Sequence, residues 1–140
     1  PPIIDASVDL DFLDRSPASG ETKNAAYLPY DYVDDENLRV KLYGRVSSLA
    51  VETEVRELKK EFADRFGKLP APVQNLFEIA RIRIAAAHAG IKTIRVNEER
   101  IMLIRNNEPI MMNGRYPRLT PGAAAAQLKQ LLALLKRFKS

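Results

Sequence analysis

The chain has 140 residues, of which 46% are hydrophobic and 29% are charged, a balance that predicts one globular domain with its own core, and its lack of cysteine fits a cytoplasmic protein. It has no cysteine and one histidine, which excludes a disulfide framework, a thiolate nucleophile and a zinc-thiolate site. The net charge of +4 is uneven, because residues 1–70 carry −4 and residues 71–140 carry +8. A basic half can bind nucleic acid, or it can belong to a dipolar domain that docks against other domains.

Hydrophobic periodicity predicts four helices and a small sheet. The predicted elements are a strand over 8–12, an extended segment over 27–33, helices over 36–49, 51–66 and 72–89, strands over 91–96 and 100–105, an edge strand over 110–112, and a last helix over 121–138. Thr120 followed by Pro121 predicts the start of the last helix. The period changes from 3.6 to 2 and back, which predicts a single α+β domain with a small antiparallel sheet packed against about four helices.

Residues 61–72 predict a tight corner between two helices. Gly67 suits the position after a helix, because a residue without Cβ adopts the left-handed conformation at little cost. Pro70 prevents the first helix from continuing, and Pro72 suits the first turn of the next one.

Four carboxylates on one flank of the second predicted helix form what we call the acidic ridge: Glu54, Glu57, Glu61 and Asp64. Near the C-terminus of a helix an exposed carboxylate is disfavoured by about 0.3–1 kcal/mol. An ion pair from Glu61 to Arg65, four residues later, would leave most of the ridge unpaired. We therefore expect Glu61 and Asp64 to meet arginines from outside the domain.

The sequence lacks the motifs that carry common catalytic chemistry. There is no phosphate-binding loop, no dinucleotide fingerprint and no nucleophile elbow. Asp9 and Asp11 could form a metal pair, but their alternation with apolar residues is more typical of the solvated face of a strand. We expect no catalytic residue, no metal ligand and no cofactor. A small hydrolase is a further option, but the sequence shows no recognisable set of catalytic residues for it.

A series of motifs points to a known family. In chain order they are Tyr27-Leu28-Pro29, Asp31-Tyr32-Val33, Arg39, Tyr43, Glu61, Asp64-Arg65-Phe66-Gly67, Leu69-Pro70, Pro72-Val73, Leu76 and Gly90-Ile91. Over residues 5–95 the chain resembles the C-terminal domain of the bacterial transcription-repair coupling factor family (Mfd). The Asp64-Arg65-Phe66-Gly67 block is the most specific part, and Gly44 departs from the larger polar residue that the family tends to carry.

The resemblance implies a role for residues 1–140 as the C-terminal regulatory domain of a longer protein, and the start at Pro1 fits a fragment. The whole protein would be an ATP-dependent DNA translocase that removes stalled RNA polymerase from damaged DNA and recruits UvrA. The regulatory domain would pack on the protein's own N-terminal, UvrB-like module and mask its UvrA-binding surface until polymerase is engaged. It would have no catalysis of its own, bind DNA weakly if at all, and have no membrane partner.

The resemblance also implies which residues form the interface with that module. They are Glu57, Glu61, Asp64 and Arg65, while Phe66, Gly67 and Pro70 shape the corner. The alternative is an accessory nucleic-acid-binding domain that uses Arg95, Arg100, Arg105, Arg115 and Arg118. Docking requires the acidic ridge, whereas DNA binding requires a continuous basic face.

Overall fold

The computed structural model describes residues 4–17 and 24–138, in which four helices pack against one four-stranded sheet. In chain order the elements are β1 (Ser7–Leu10), α1 (Glu36–Ser47), α2 (Glu52–Phe66), α3 (Ala71–His88), β2 (Thr93–Asn97), β3 (Arg100–Arg105), β4 (Glu108–Pro109) and α4 (Ala124–Leu135). The strand order is β1-β2-β3-β4. This architecture confirms the predicted α+β class.

Helix α3 is the central helix, because apolar side chains cover nearly its whole circumference. Its Phe77 and Ile82 are completely buried. Phe62 of α2 meets Phe77 edge to face, with ring centroids 5.1 Å apart. Helix α4 packs against α3 and buries Leu128 and Leu131 completely. The core therefore lies where α1, α2 and α4 surround α3, as the width of the apolar stripe on α3 predicts.

The inner face of the sheet completes this core. Ile94 and Val96 of β2 and Ile101 and Leu103 of β3 alternate with outward-facing residues and are buried. The predicted hairpin between these strands is confirmed, and its two-residue turn has positive φ at both positions (50° and 69° over 98–99). A turn of this kind follows the right-handed twist of the paired strands.

The sheet differs from the prediction at both edges. Strand β1 pairs parallel with β2, from Ser7 opposite Thr93 onward, so the sheet is mixed rather than antiparallel. A parallel partner requires a long crossover, which the three helices between β1 and β2 provide. The predicted edge strand is present but lies earlier than 110–112, because a turn at 106–107 with φ of 54° and 64° lets pairing resume at once in β4.

Helix α4 begins later than predicted. Thr120 does not cap it: its backbone N–H donates to Gln130 Oε1 at 2.8 Å, and its carbonyl accepts from Gln127 Nε2 at 3.2 Å. The residue before the helix is Ala123, and the helix ends at Leu135 rather than at 138. Two glutamine side chains on α4 thus satisfy the backbone of Thr120 without extending the helix to it.

Candidate interdomain interface

The corner between α2 and α3 presents the end of the acidic ridge. Gly67 follows α2 with φ of 92°, and its N–H donates to the carbonyl of Ala63 at 3.0 Å. Pro70 precedes α3, and its carbonyl accepts from the N–H groups of Val73 and Gln74, both at 3.0 Å. The glycine and the proline therefore stand at the end of one helix and the start of the next.

Tyr32 holds this corner from the extended segment. Its hydroxyl donates to the carbonyl of Gly67 at 2.9 Å and lies 3.3 Å from the carbonyl of Phe62. Its ring packs on Phe66, with centroids 5.7 Å apart, and Phe66 in turn meets Phe62 at 5.8 Å. Burial raises the pKa of Tyr32, so the hydroxyl keeps the proton that it donates. The sequence predicts only an extended segment over 27–33 and no contact between Tyr32 and the corner.

Glu54 is committed to the start of its own helix. Its Oε1 accepts from the N–H of Ala50 at 2.9 Å and from that of Val51 at 3.3 Å. A glutamate in the first turn is also favoured by the helix dipole. Glu54 therefore belongs to the ridge by position but acts as a helix cap.

Glu61 is bound by two arginines of its own domain. Arg45, in the last turn of α1, donates from Nη1 to Oε2 at 2.6 Å and from Nη2 to Oε1 at 2.8 Å. Arg65 donates from Nη1 to Oε2 at 2.9 Å, which confirms the predicted pair. These hydrogen bonds, with that from Arg45 contributing most, lower the pKa of Glu61 to about 2. Arg65 is the partner that the spacing predicts and Arg45 is one that it does not predict, while a contact of Glu61 with external arginines stays a prediction.

Arg65 is turned toward its own helix. Besides its bond to Glu61, its guanidinium lies 4.9 Å from the ring centroid of Phe66. Its side chain is nevertheless 44% exposed, so it can also be reached from outside.

Glu57 and Asp64 remain available to a partner. Both are exposed, and within the described parts of the chain neither has a lysine, arginine or histidine nitrogen within 4.0 Å. Asp64 lies in the last turn of α2, where the helix dipole opposes a negative charge. The two free carboxylates thus flank the arginine-bound Glu61.

A groove of about 380 Å³ runs between the end of α1 and the ridge side of α2. It is lined by Arg45, Ser48, Leu49, Glu54, Glu57, Leu58 and Glu61. The lining thus combines three carboxylates and one guanidinium with two leucine side chains. It suits a partner whose cationic groups bind the carboxylates while their aliphatic stems pack on the leucines.

The five arginines of the basic half do not all lie on one face, although Arg95 and Arg100 share the outer face of the sheet. Arg95 lies on the outer face of the sheet, with Nε 3.9 Å from Asp9 Oδ2. Arg105 is the last residue of β3 and lies on its inner face, where it donates to the carbonyl of Ala89 at 3.2 Å. Arg118 donates to the carbonyl of Glu98 at 3.3 Å. The remaining two, Arg100 and Arg115, are exposed, and Arg100 lies 5.8 Å from the ring of Tyr116.

The described residues do not form two other kinds of site. No group of three or more histidine, cysteine, aspartate or glutamate side chains there is arranged to hold a metal ion. None of the helices within 4–17 and 24–138 combines the length and the apolar character that a bilayer span requires.

A family model described as the TRCF domain matches residues 22–114, a range that contains α1, α2, the corner and α3. This chain belongs to the TRCF domain family. The matched range includes the whole acidic ridge, both arginines that bind Glu61, and the Tyr32 hydroxyl that holds the corner of the TRCF domain.

Relatives of this TRCF domain are named transcription-repair-coupling factors. The Escherichia coli (strain K12) protein is 40% identical over 79 residues, which are 56% of this chain and 7% of that protein. The Haemophilus influenzae protein is 30% identical over 117 residues, covering 73% of this chain and 10% of that protein. The chain therefore spans only a small part of the length of these relatives.

A solved structure shares the fold. It is a crystal structure of the C-terminal domain of transcription-repair coupling factor, with a TM-score of 0.62 and 15% identity, and the match covers 94% of this chain and 95% of that one. The likeness in fold therefore extends over almost the whole TRCF domain, whereas β1 and α4 lie outside the range of the family match.

Proposed function

We propose that this TRCF domain is a regulatory docking domain of a transcription-repair coupling factor in the cytoplasm, without catalysis of its own. It docks through the acidic ridge on the N-terminal, UvrB-like module of the same protein and masks the surface that UvrA requires. Engagement of RNA polymerase by the ATP-dependent translocase releases it.

The observation that carries the proposal is the position of Glu57 and Asp64. Both are exposed, Glu57 lines the open groove, and neither has a basic partner within 4.0 Å in the described part of the domain. Asp64 also stands against the helix dipole, so a cation from outside would relieve its unfavourable position. Arginine suits this task, because its planar fork pairs with a carboxylate through two hydrogen bonds.

The corner supports the same proposal by holding the ridge in place. Tyr32 binds the end of α2 through the carbonyl of Gly67, and Phe62 buries the opposite side of the helix. A preorganised surface loses less conformational entropy when a partner binds.

The experiment uses full-length protein with Glu57→Gln and Asp64→Asn together. We expect the double variant to bind UvrA without polymerase, because truncating one member of a desolvated charge pair costs about 2–5 kcal/mol of docking free energy. Asp31→Asn with Glu108→Gln is the matched control, since both residues are exposed and the same charge is removed.

Adding Glu61→Gln tests the third member of the proposed interface, and we expect a smaller further gain in UvrA binding. A double variant that stays folded, as judged by circular dichroism, and still fails to bind UvrA would contradict the masking role.

A further inference from the structure

The carboxylate of Glu61 has little capacity left for an incoming partner. A carboxylate offers about four acceptor positions. Three are occupied, two by the fork of Arg45 and one by Arg65. An arriving guanidinium can therefore make one hydrogen bond to Glu61, and a two-bond fork requires that Arg45 or Arg65 give up its bond.

The guanidinium of Arg45 also occupies the place that a partner arginine would need. It reaches Glu61 from α1, across the groove between the two helices, and it is itself part of the groove lining. Arg45 is bound to Glu61 at 2.6 and 2.8 Å, but its side chain is 48% exposed, so it can turn out into water. In the free domain, Arg45 thus already makes the arginine–carboxylate contact that the proposed docking would form at Glu61.

From this geometry we infer that Arg45 is an internal competitor that limits the strength of docking at the acidic ridge. The inference rests on the proposed function. A partner arginine at Glu61 only replaces the guanidinium of Arg45 by its own. The contact at Glu61 therefore contributes little net affinity. Glu57 and Asp64 have no such competitor and supply most of the attraction. Docking is therefore weak enough to be reversed when the domain must be released.

The test measures the affinity of this chain for the separately expressed N-terminal module by calorimetry. We expect Arg45→Gln to tighten binding by about two- to fivefold, the factor that corresponds to one exposed ion pair. Arg95→Gln is the matched control, because it removes the same charge from an exposed arginine on the outer face of the sheet. Arg45→Lys keeps the charge but loses the fork, so its affinity should lie between those of Arg45→Gln and the unmodified chain.

Each outcome bears on a different claim. If Arg45→Gln binds no more tightly than Arg95→Gln, or more weakly than the unmodified chain, the competitor role is overturned, and weaker binding would instead make Arg45 a residue that positions Glu61. Glu57→Gln with Asp64→Asn is measured alongside. If this double variant binds the N-terminal module as tightly as the unmodified chain, the proposed docking itself fails, regardless of the result for Arg45→Gln.

Discussion

The acidic ridge and the arginines of the sheet region differ in which of their charged groups are bound by other groups of the same domain. The ridge places its carboxylates along one flank of a single helix, and two of them, Glu57 and Asp64, are exposed without a partner among the described residues. In the sheet region, Arg105 and Arg118 donate to backbone carbonyls of their own fold. The net charge of a segment therefore does not predict its partner, since what matters is which charges the fold leaves available.

The largest effect that would break this comparison comes from the corner that ends the ridge. Gly67 has φ of 92°, and no heavy atom lies within 4 Å of the position that a Cβ would take, so Gly67→Ala meets backbone strain and no clash. Because ψ is −174°, this backbone region is essentially restricted to glycine, and we expect Gly67→Ala to lower the free energy of unfolding by about 1–3 kcal/mol in urea denaturation. Gly44→Ala is the control of opposite sign, because Gly44 lies inside α1 in open space, and alanine there should add about 0.5–1 kcal/mol. Equal effects at the two positions would show that the corner is not constrained.

A smaller effect is expected when the corner loses its tyrosine hydroxyl. Tyr32→Phe removes the hydrogen bond to the carbonyl of Gly67 and keeps the ring against Phe66. The expected loss is about 0.5–1.5 kcal/mol of unfolding free energy. Tyr30→Phe is the matched control, since the Tyr30 side chain is largely exposed and its substitution should leave stability nearly unchanged. A similar loss in both variants would argue against a specific role for the Tyr32 hydroxyl.

The pH dependence of Glu61 sharpens the comparison at the ridge itself. Its pKa in the folded domain is about 2, below the ordinary value of 4.5. A lowered pKa means that the stabilisation is fully present above about pH 4.5 and is lost as the pH falls through 2. Because the side chain is one third exposed, at 33%, solvent screens the pair and the contribution should not exceed about 1 kcal/mol.

Carbon-detected NMR titration of the Glu61 carboxylate measures this directly. In Arg45→Gln we expect its pKa to move up toward the ordinary value, because the first cause of the shift is removed. The stability difference between this variant and the unmodified chain should narrow as the pH falls from 4.5 toward 2. A pKa that stays near 2 in Arg45→Gln would show that Arg65 alone holds the carboxylate.

The smallest expected effect concerns DNA. Because Arg105 and Arg118 donate to backbone carbonyls and Arg105 lies on the other face from Arg95 and Arg100, duplex DNA should bind no more tightly than about 10⁻⁶ M at physiological salt. Fluorescence anisotropy with a labelled duplex measures it, and Arg95→Gln with Arg100→Gln should change the affinity little. Nanomolar binding that these substitutions abolish would favour the nucleic-acid alternative over docking.

The sequence predicts best what depends on neighbouring residues. Helices α1 to α3 follow from the 3.6-residue period, the β2–β3 hairpin from alternation, and the Glu61–Arg65 pair from a spacing of four. Arg45 was missed as a partner of Glu61, because sixteen residues and the crossing of two helices separate them. No local rule predicts which arginine of one helix reaches a carboxylate on the next.

The errors at the sheet and at α4 have the same origin. The parallel pairing of β1 with β2 depends on how the helices between them pack, which periodicity does not encode. Thr120 has the residue type of a helix cap, but side chains one and two turns into α4 bind its backbone instead. The tyrosine at 32 is one of three close together, and only the packed structure distinguishes it from the exposed Tyr30.

The parallel pairing of β1 also bears on the order in which the chain folds. Ser7 pairs with Thr93, so β1 can join the sheet only after the long segment between these two residues has been ordered. The contacts around the ridge, in contrast, lie within α2 or between α1 and α2, which are adjacent in sequence. Closing a longer loop costs more entropy, and distant contacts form more slowly. We therefore expect the pair α1–α2 to gain amide protection before β1 does in pulse-labelled hydrogen exchange, and simultaneous protection would contradict this order. The ridge would then be complete during synthesis as soon as α3 has left the ribosome, before the sheet exists.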